Sequence, residues 1–152
     1  MLINILLGLS VMLLCLLLQI LLLLAAIRYY KRREHLVRNP SFVAGLSVVS
    51  GLMLLLVLGN LGQIAIWAGL FVHLGEFGRF ADAFYHSAVN FATLGYGDVV
   101  MSPRHRLLGP LESVNGIVMI GISTSAFTAV LQRIMRNIRL AQRRSGARLR
   151  QP

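Results

Sequence analysis

The feature that most constrains this chain is a long stretch, residues 2–27, that contains no charged side chain. As an α-helix this stretch would be about 39 Å long, which is enough to cross a hydrocarbon core of about 30 Å with some tilt. A cleaved signal peptide is the alternative interpretation, but it requires a basic segment ahead of a shorter apolar stretch. Because Arg28 is the first basic residue, the sequence favours a transmembrane helix.

Two further stretches have the same character. Residues 41–74 carry no Asp, Glu, Lys or Arg, and residues 109–131 carry only Glu112. Gly109 as N-cap, Pro110 at the first helical position and Glu112 at the third are signals that predict the start of the last helix. Charged residues make up only 13% of the chain, whereas an average soluble domain is about a quarter charged. The predicted fold class is therefore an all-α membrane protein with three transmembrane helices.

Residues 75–106, between the second and third apolar stretches, are mixed in character. Within them, residues 80–91 are apolar but too few to cross a bilayer, and this length is typical of a re-entrant or buried helix. The sequence therefore predicts a short helix that enters the membrane without crossing it, followed by a loop.

Basic residues are distributed unevenly around the three predicted spans. Those after the first span are Arg28, Lys31, Arg32, Arg33 and Arg38, and those of the tail are Arg133, Arg136, Arg139, Arg143, Arg144, Arg148 and Arg150. The positive-inside rule places both groups in the cytoplasm, so the N-terminus and residues 75–106 are expected outside. Pro40 cannot continue a helix and Ser41 can cap the next one, which predicts a break between the first two spans.

The hexapeptide TLGYGD, residues 93–98, follows the predicted re-entrant helix. Irregular backbone at membrane depth is tolerated only where it is buried in protein or lines a water-filled path. Glycine at alternate positions allows positive φ at little cost, so that successive carbonyl groups can point to one side. Several copies of such a segment around an axis would form rings of oxygens able to replace the hydration shell of an ion.

On this hexapeptide and its context, the chain resembles the pore domain of the potassium channel family, with an outer helix, a pore helix, a filter and an inner helix. The resemblance covers about residues 41–131, and Leu94 stands where the family usually has Val. It implies a homotetramer around one pore, K⁺ as the permeant ligand in preference to Na⁺, and no cofactor. The implied K⁺ ligands are the carbonyl oxygens of Thr93, Leu94, Gly95 and Tyr96 with the Thr93 hydroxyl, and Gly97 completes the filter.

The same resemblance assigns roles to residues around the filter. Asp98 is expected at the outer mouth, where a hydrogen bond can also anchor the filter. Tyr96 is expected to point away from the pore and brace the filter, with Tyr85 as a candidate partner. Many bacterial members have a pore-helix Glu that bonds to the filter Asp, but Val89 occupies that position here, so this anchor is expected to be absent. The usual pore-helix tryptophans are replaced near Tyr85 and His86.

Several residues of the predicted inner helix have two interpretations each. Gly116 and Gly121 can serve close helix packing or a gating hinge, and the resemblance favours Gly121 as the hinge. Some hydroxyl side chains can line an aqueous cavity below the filter or bond back to preceding carbonyls. These are Ser123, Thr124, Ser125 and Thr128.

The remaining titratable residues are interpreted more plainly. Glu112 is expected to face the positive end of the helix dipole instead of serving as a functional carboxylate in the membrane. His86 and His105 are expected to be satisfied or solvated, a pH gate being the alternative. The tail residues Arg133, Arg136 and Arg139 are expected to contact anionic lipid at the cytoplasmic face, and a voltage sensor is the disfavoured alternative.

The sequence thus predicts three segments: residues 1–40 with an extra transmembrane helix, residues 41–132 with the pore domain, and residues 133–152 with a basic tail. The predicted function is a K⁺-selective channel in a cell membrane, expected to be a bacterial inner membrane. A weakly selective cation channel and a non-conducting regulatory subunit are the alternatives. No cluster of nucleophile, base and orienting group indicates an enzyme. Because the basic residues adjoin apolar stretches, the net charge of +10 indicates membrane lipid and not nucleic acid.

Overall fold

The computed structural model describes residues 1–38 and 42–148. These residues form four α-helices, namely α1 (Leu2–Arg38), α2 (Phe42–His73), α3 (Phe80–Phe91) and α4 (Leu108–Arg148). Three of the helices are long and apolar enough to cross a membrane, over Leu2–Arg33, Gly45–His73 and Leu108–Arg136. The protein is therefore an all-α membrane protein, as predicted.

The limits of the helices agree with the sequence analysis at α3 and differ elsewhere. The short helix covers Phe80–Phe91, the predicted residues. By contrast, α1 remains helical through its basic residues to Arg38, because Lys and Arg are good helix formers. The predicted break at Pro40 and Ser41 lies outside the described residues, as does Arg150 of the tail.

The predicted start of the last helix is wrong by two residues. The helix begins at Leu108, whose N–H donates to the His105 carbonyl at 2.9 Å. Pro110 is still tolerated because it lies in the first turn, where its missing N–H has no intrahelical partner to lose. Gly109 is consequently inside the helix and not its N-cap, and Glu112 lies in the second turn.

The short helix α3 lies against both α2 and α4, and α1 packs against the same two long helices. Trp67 and Phe71 of α2 are fully buried in a core that also contains Cys15 of α1 and Leu108 of α4. Many leucines of α1 remain exposed, among them Leu6, Leu13, Leu17 and Leu21. The side of α1 that carries these residues is thus an apolar face that no other described helix covers.

A buried polar network joins the three long helices near their midpoints. Gln19 of α1 donates from Nε2 to the Ser123 hydroxyl of α4 at 3.0 Å, and Gln63 of α2 donates to Gln19 Oε1 at 2.8 Å. The two glutamines are 1% and 0% exposed. Hydrocarbon offers no alternative partners for such groups, so the network fixes how α1 lies against α2 and α4.

Candidate functional site

The backbone of the hexapeptide after α3 alternates in handedness. Thr93, Gly95 and Gly97 have φ angles of 59°, 60° and 73°. The positive φ of the two glycines agrees with the alternation predicted from their spacing. That of Thr93 is unexpected, because a β-branched residue with positive φ is a genuine outlier.

The conformation of Thr93 is explained by the way α3 ends. The C-cap is Ala92, so Thr93 is the residue after it, which in many helices adopts the left-handed conformation and is usually glycine. Its N–H donates to the Asn90 carbonyl at 2.9 Å, and the N–H of Leu94 donates to the Val89 carbonyl at 2.9 Å. This pair of bonds is the Schellman motif, and it connects the end of α3 directly to the first residue of the hexapeptide.

The C-terminal end of the hexapeptide is held by Asp98. Tyr85 of α3 donates its hydroxyl to Asp98 Oδ2 at 2.7 Å, and the Val99 N–H donates to Oδ1 at 3.0 Å. The bond from Tyr85 lowers the pKa of Asp98, and in turn the bond to Asp98 raises the pKa of Tyr85. The hydrogen bond of Tyr85 therefore runs to Asp98 and not to Tyr96.

The side chain at the position of the missing pore-helix Glu is apolar and buried. Val89 is 7% exposed and belongs to the side of α3 that packs into the protein. The bond from α3 to Asp98 is instead supplied by Tyr85, which lies one helical turn closer to the start of α3. Sequence reasoning named Tyr85 as a candidate partner of Tyr96, and it did not predict the bond from Tyr85 to Asp98.

His86 is buried with both ring nitrogens occupied. Its Nδ1 lies 2.8 Å from the Val99 carbonyl and its Nε2 lies 2.9 Å from the amide nitrogen of Asn90. The rings of Phe71 and Phe77 pack on it with centres 5.6 and 5.1 Å away. One tautomer, in which Nδ1–H donates and Nε2 accepts, satisfies both contacts. His86 therefore holds the chain beyond the hexapeptide against α3.

A second group of polar contacts joins the two loops that flank α3. Glu76 accepts from the Ser102 N–H at 2.6 Å and from the Ser102 hydroxyl at 2.7 Å, and His105 Nδ1 lies 2.5 Å from Glu76 Oε1. Burial opposes ionisation of Glu76, but the bonds from Ser102 and His105 outweigh it and hold the pKa below its ordinary value. We refer to Glu76, Ser102 and His105 as the loop clamp. Sequence reasoning missed it, because its members lie far apart in the chain.

Glu112 does not occupy the position predicted for it. Its side chain is fully buried and contacts the Ser87 hydroxyl of α3, which in turn donates to the Ile64 carbonyl of α2 at 2.9 Å. The expected position facing the helix dipole is wrong because α4 begins two residues earlier than predicted. The carboxyl group instead links the start of α4 to α3.

The two glycines of α4 have different surroundings. A Cβ on Gly116 would lie 2.0 Å from the Phe91 carbonyl oxygen, whereas a Cβ on Gly121 would meet nothing within 4 Å. Gly116 therefore allows α4 to pass close under the end of α3, which is the packing role. No packing role accounts for Gly121, which stays a predicted hinge.

The hydroxyl side chains of lower α4 divide into two kinds. Thr124, Ser125 and Thr128 each donate to the carbonyl four residues earlier at 2.9 Å and are exposed in the single chain. Ser123 is buried and belongs to the polar network with Gln19. Back-bonding thus accounts for three of the four, and their exposure leaves the prediction of an aqueous cavity open.

The basic residues predicted to contact lipid lie on the lower part of α4. Arg133, Arg136 and Arg139 are all exposed. The Arg133 guanidinium lies 5.5 Å from the centre of the Tyr30 ring of α1, which is a cation–π distance. The basic end of α4 is therefore in contact with the basic end of α1.

Comparison with known proteins adds a family to this geometry. The family model described as "Ion channel" matches residues 60–133, which begin within α2, include α3 and the hexapeptide, and end within α4. Neither the curated proteins nor the solved structures gave a match. The family indicates a channel and not an enzyme. Residues 60–133 are therefore similar to the ion channel family, and an additional apolar helix, α1, precedes this region.

Proposed function

We propose that the protein is a potassium-selective channel that conducts K⁺ passively through one pore formed by four copies. The observation that carries the proposal is the positive φ at three alternate residues of the hexapeptide, Thr93, Gly95 and Gly97. A backbone of alternating handedness can direct its carbonyl oxygens to one side, and rings of carbonyl oxygens are the ligands that replace water around K⁺. The chain supplies one such strand, so a complete ring requires further copies.

The exposure of the filter in a single chain supports this assembly. Leu94 and Tyr96 are 55% and 65% exposed. On α4, the apolar side chains Val114 and Ile117 are also exposed, at 52% and 62%. Because a filter segment at membrane depth needs protein around it, neighbouring copies related by a rotation axis would cover these residues. The oxygens of residues 93–96 would then surround the axis.

The bracing of each filter strand has two parts in this proposal. At the inner end the Schellman motif fixes Thr93 to α3, and at the outer end Tyr85 holds Asp98. A strand held at both ends keeps its carbonyl oxygens in place when an ion leaves. Preorganised ligands of this kind favour the ion whose hydration shell they match over one that is smaller.

Reversal potentials in planar bilayers test the proposal directly. Purified full-length protein in mixed K⁺ and Na⁺ should reverse close to the K⁺ equilibrium potential, and native mass spectrometry in mild detergent should give four chains. Equal permeability to both ions would identify a weakly selective cation channel instead. Absence of current from an intact tetramer would identify a non-conducting membrane subunit. A monomer or dimer in every mild detergent would contradict the four-copy pore.

A further inference from the structure

The basic ends of α1 and α4 enclose a cavity that lies at the boundary between the additional helix and the channel domain. Its volume is about 190 Å³. Tyr30 and Lys31 of α1 and Arg133 of α4 line it, and its remaining walls are the apolar residues Ile27, Ala129 and Val130. Ile27 precedes Lys31 on α1, and the two apolar residues of α4 precede Arg133. The cavity is therefore apolar towards the middle of the membrane and cationic towards the aqueous phase.

Among the residues that the structure describes, neither cation at this cavity has an acidic partner. Lys31 and Arg133 are exposed, and within the described residues the ion pairs involve other side chains. The contact that Arg133 makes is with the Tyr30 ring, and an aromatic ring does not neutralise a charge. Two cations that line one cavity repel each other, and an anion placed between them replaces this repulsion with attraction.

The third polar group at the cavity is a hydroxyl without a partner. Tyr30 is 5% exposed, and its Oη is buried with no hydrogen-bond partner. Buried hydroxyl groups in proteins are nearly always bonded, and an unbonded one calls for a specific explanation. Tyr30 packs with Val48 and Ile134, so its ring is held in place. Tyr30 thus lines the cavity with a fixed ring, and its hydroxyl is a donor without a partner, which suits an anionic oxygen.

We propose that this cavity binds the headgroup phosphate of an anionic phospholipid, in the membrane leaflet at the basic ends of α1 and α4. Lys31 and Arg133 supply the charge, and the Tyr30 hydroxyl donates a hydrogen bond to a phosphate oxygen. The apolar walls favour a lipid over free phosphate, because they lie where the glycerol and the first methylene groups of a lipid would be. The bound lipid connects α1 to α4. Residues 60–133 alone could not form this site, because α1 supplies Tyr30 and Lys31.

A neighbouring cavity gives room for the rest of the headgroup. It has a volume of about 320 Å³, shares Ala129 and Arg133 with the first cavity, and adds Gln132 and Arg136. Arg139 lines neither of these two cavities. Of the three arginines predicted from sequence to contact lipid, Arg133 and Arg136 therefore belong to the site, and Lys31 and Tyr30 are the members that sequence reasoning did not identify.

Native mass spectrometry of the full-length protein tests the site without any measurement of conduction. We expect phosphatidylglycerol to stay bound at low micromolar concentration, whereas phosphatidylcholine does not. Lys31→Gln and Arg133→Gln should each lower the affinity for phosphatidylglycerol about tenfold, as expected for a charge-assisted hydrogen bond. Tyr30→Phe keeps the ring under Arg133 and removes only the hydroxyl, and it should lower the affinity about threefold to tenfold.

Arg32→Gln is the matched control, because Arg32 is equally exposed, adjoins Lys31 and lines neither cavity. It should change the affinity by less than about twofold, since exposed charges outside the site are screened. An equal loss in Arg32→Gln and Lys31→Gln would overturn the site in favour of general attraction to a basic surface. Displacement of the lipid by millimolar inorganic phosphate would overturn the lipid assignment in favour of a free-phosphate site. Unchanged binding in Tyr30→Phe would remove the hydroxyl from the proposal.

Discussion

Gly95 and Thr93 hold the same left-handed backbone conformation, but only glycine does so without strain. In Gly95→Ala a Cβ would meet nothing within 4 Å in its own chain, so the effect is conformational, about 1–2 kcal/mol in each copy. The expected result is that the carbonyl groups turn from the axis and that selectivity for K⁺ over Na⁺ is lost or reduced. Reversal potentials in mixed K⁺ and Na⁺ measure this.

Two variants serve as controls for Gly95→Ala. Gly69→Ala also places its Cβ in open space, but in the regular helix α2, and it should leave the reversal potential unchanged. Thr93→Ser keeps a hydroxyl and should keep substantial conduction. If Gly95→Ala and Gly69→Ala gave the same selectivity, the ions would be selected somewhere other than residues 93–98.

The hydrogen bond from Tyr85 is what joins Asp98 to α3, so the Asp98 end of the proposed filter depends on one hydroxyl. Tyr85→Phe should therefore let current decline faster during sustained conduction, most clearly at low K⁺, when ions no longer hold the strand in place. Tyr85→Trp retains an N–H donor on an aromatic ring and should restore slow decline. Patch or bilayer recordings give the time course. Identical kinetics in all three proteins would show that this bond does not support the filter.

The loop clamp predicts that the stability of the two loops that flank α3 depends on pH. Because the pKa of Glu76 is lower in the folded protein than its ordinary value of 4.5, the clamp contributes its full stability above that value. The contribution is lost as the pH falls through the folded pKa. Proteolysis of the loop around Ser102 should therefore accelerate below about pH 4.5.

Glu76→Gln should remove this pH dependence and leave the loop accessible at neutral pH. Asp82→Asn is the control, because Asp82 pairs with Arg79 at 3.9 Å on the surface and exposed ion pairs contribute little. A loop that is cut at the same rate from pH 7 to pH 3 in the unmodified protein would contradict the role of the clamp.

At the scale of the helix, the close approach of α4 to α3 depends on Gly116. In Gly116→Ala the Cβ would lie 2.0 Å from a backbone oxygen, so the two helices must separate, at a cost of about 1–3 kcal/mol per chain. Gly121→Ala has open space and should not lower stability. The dissociation temperature of the purified assembly in detergent measures the difference. A similar temperature for both variants would mean that α4 can shift without loss.

The helices were predictable from sequence where length and charge alone decide them. Residues 80–91 are bounded by Arg79 and by the glycine-containing hexapeptide, so α3 was predicted with its observed ends. The start of α4 was not, because Pro110 is compatible with any position in the first turn and the turn that ends at Leu108 has no sequence signal. The position of Glu112 depended on that start and was wrong for the same reason.

Contacts between distant residues account for most of what sequence could not predict at the site. The alternation at Gly95 and Gly97 follows from glycine itself, whereas that of Thr93 depends on the cap of α3, where glycine would be the usual signal. The loop clamp and the bond from Tyr85 to Asp98 require knowledge of which loops meet. Without such knowledge, the sequence does not distinguish these residues from the other polar residues of the loops.

For the molecule as a whole, the asymmetry of the basic residues predicts an external N-terminus and a cytoplasmic C-terminus. Single-cysteine variants at Ser145 and Ser102 test this with a membrane-impermeant thiol reagent on intact cells. Position 102 should react from outside and position 145 only after lysis. Cys15 is the only native cysteine and is fully buried, so it adds little background. Reaction of position 145 in intact cells would reverse the assignment.

The bonds of Gln19 also have a consequence for the order in which the protein is made. Gln63 follows Gln19 by 44 residues and Ser123 follows it by 104. At a synthesis rate of about 5–20 residues per second, α1 is in place about 5–20 s before its partner on α4 leaves the ribosome. Burying an unpaired amide in hydrocarbon costs free energy. We therefore expect nascent α1 to pair with α2 through Gln63 first. The α1–α2 hairpin then offers the Gln19 amide as a docking point for α4 when the last helix enters the membrane.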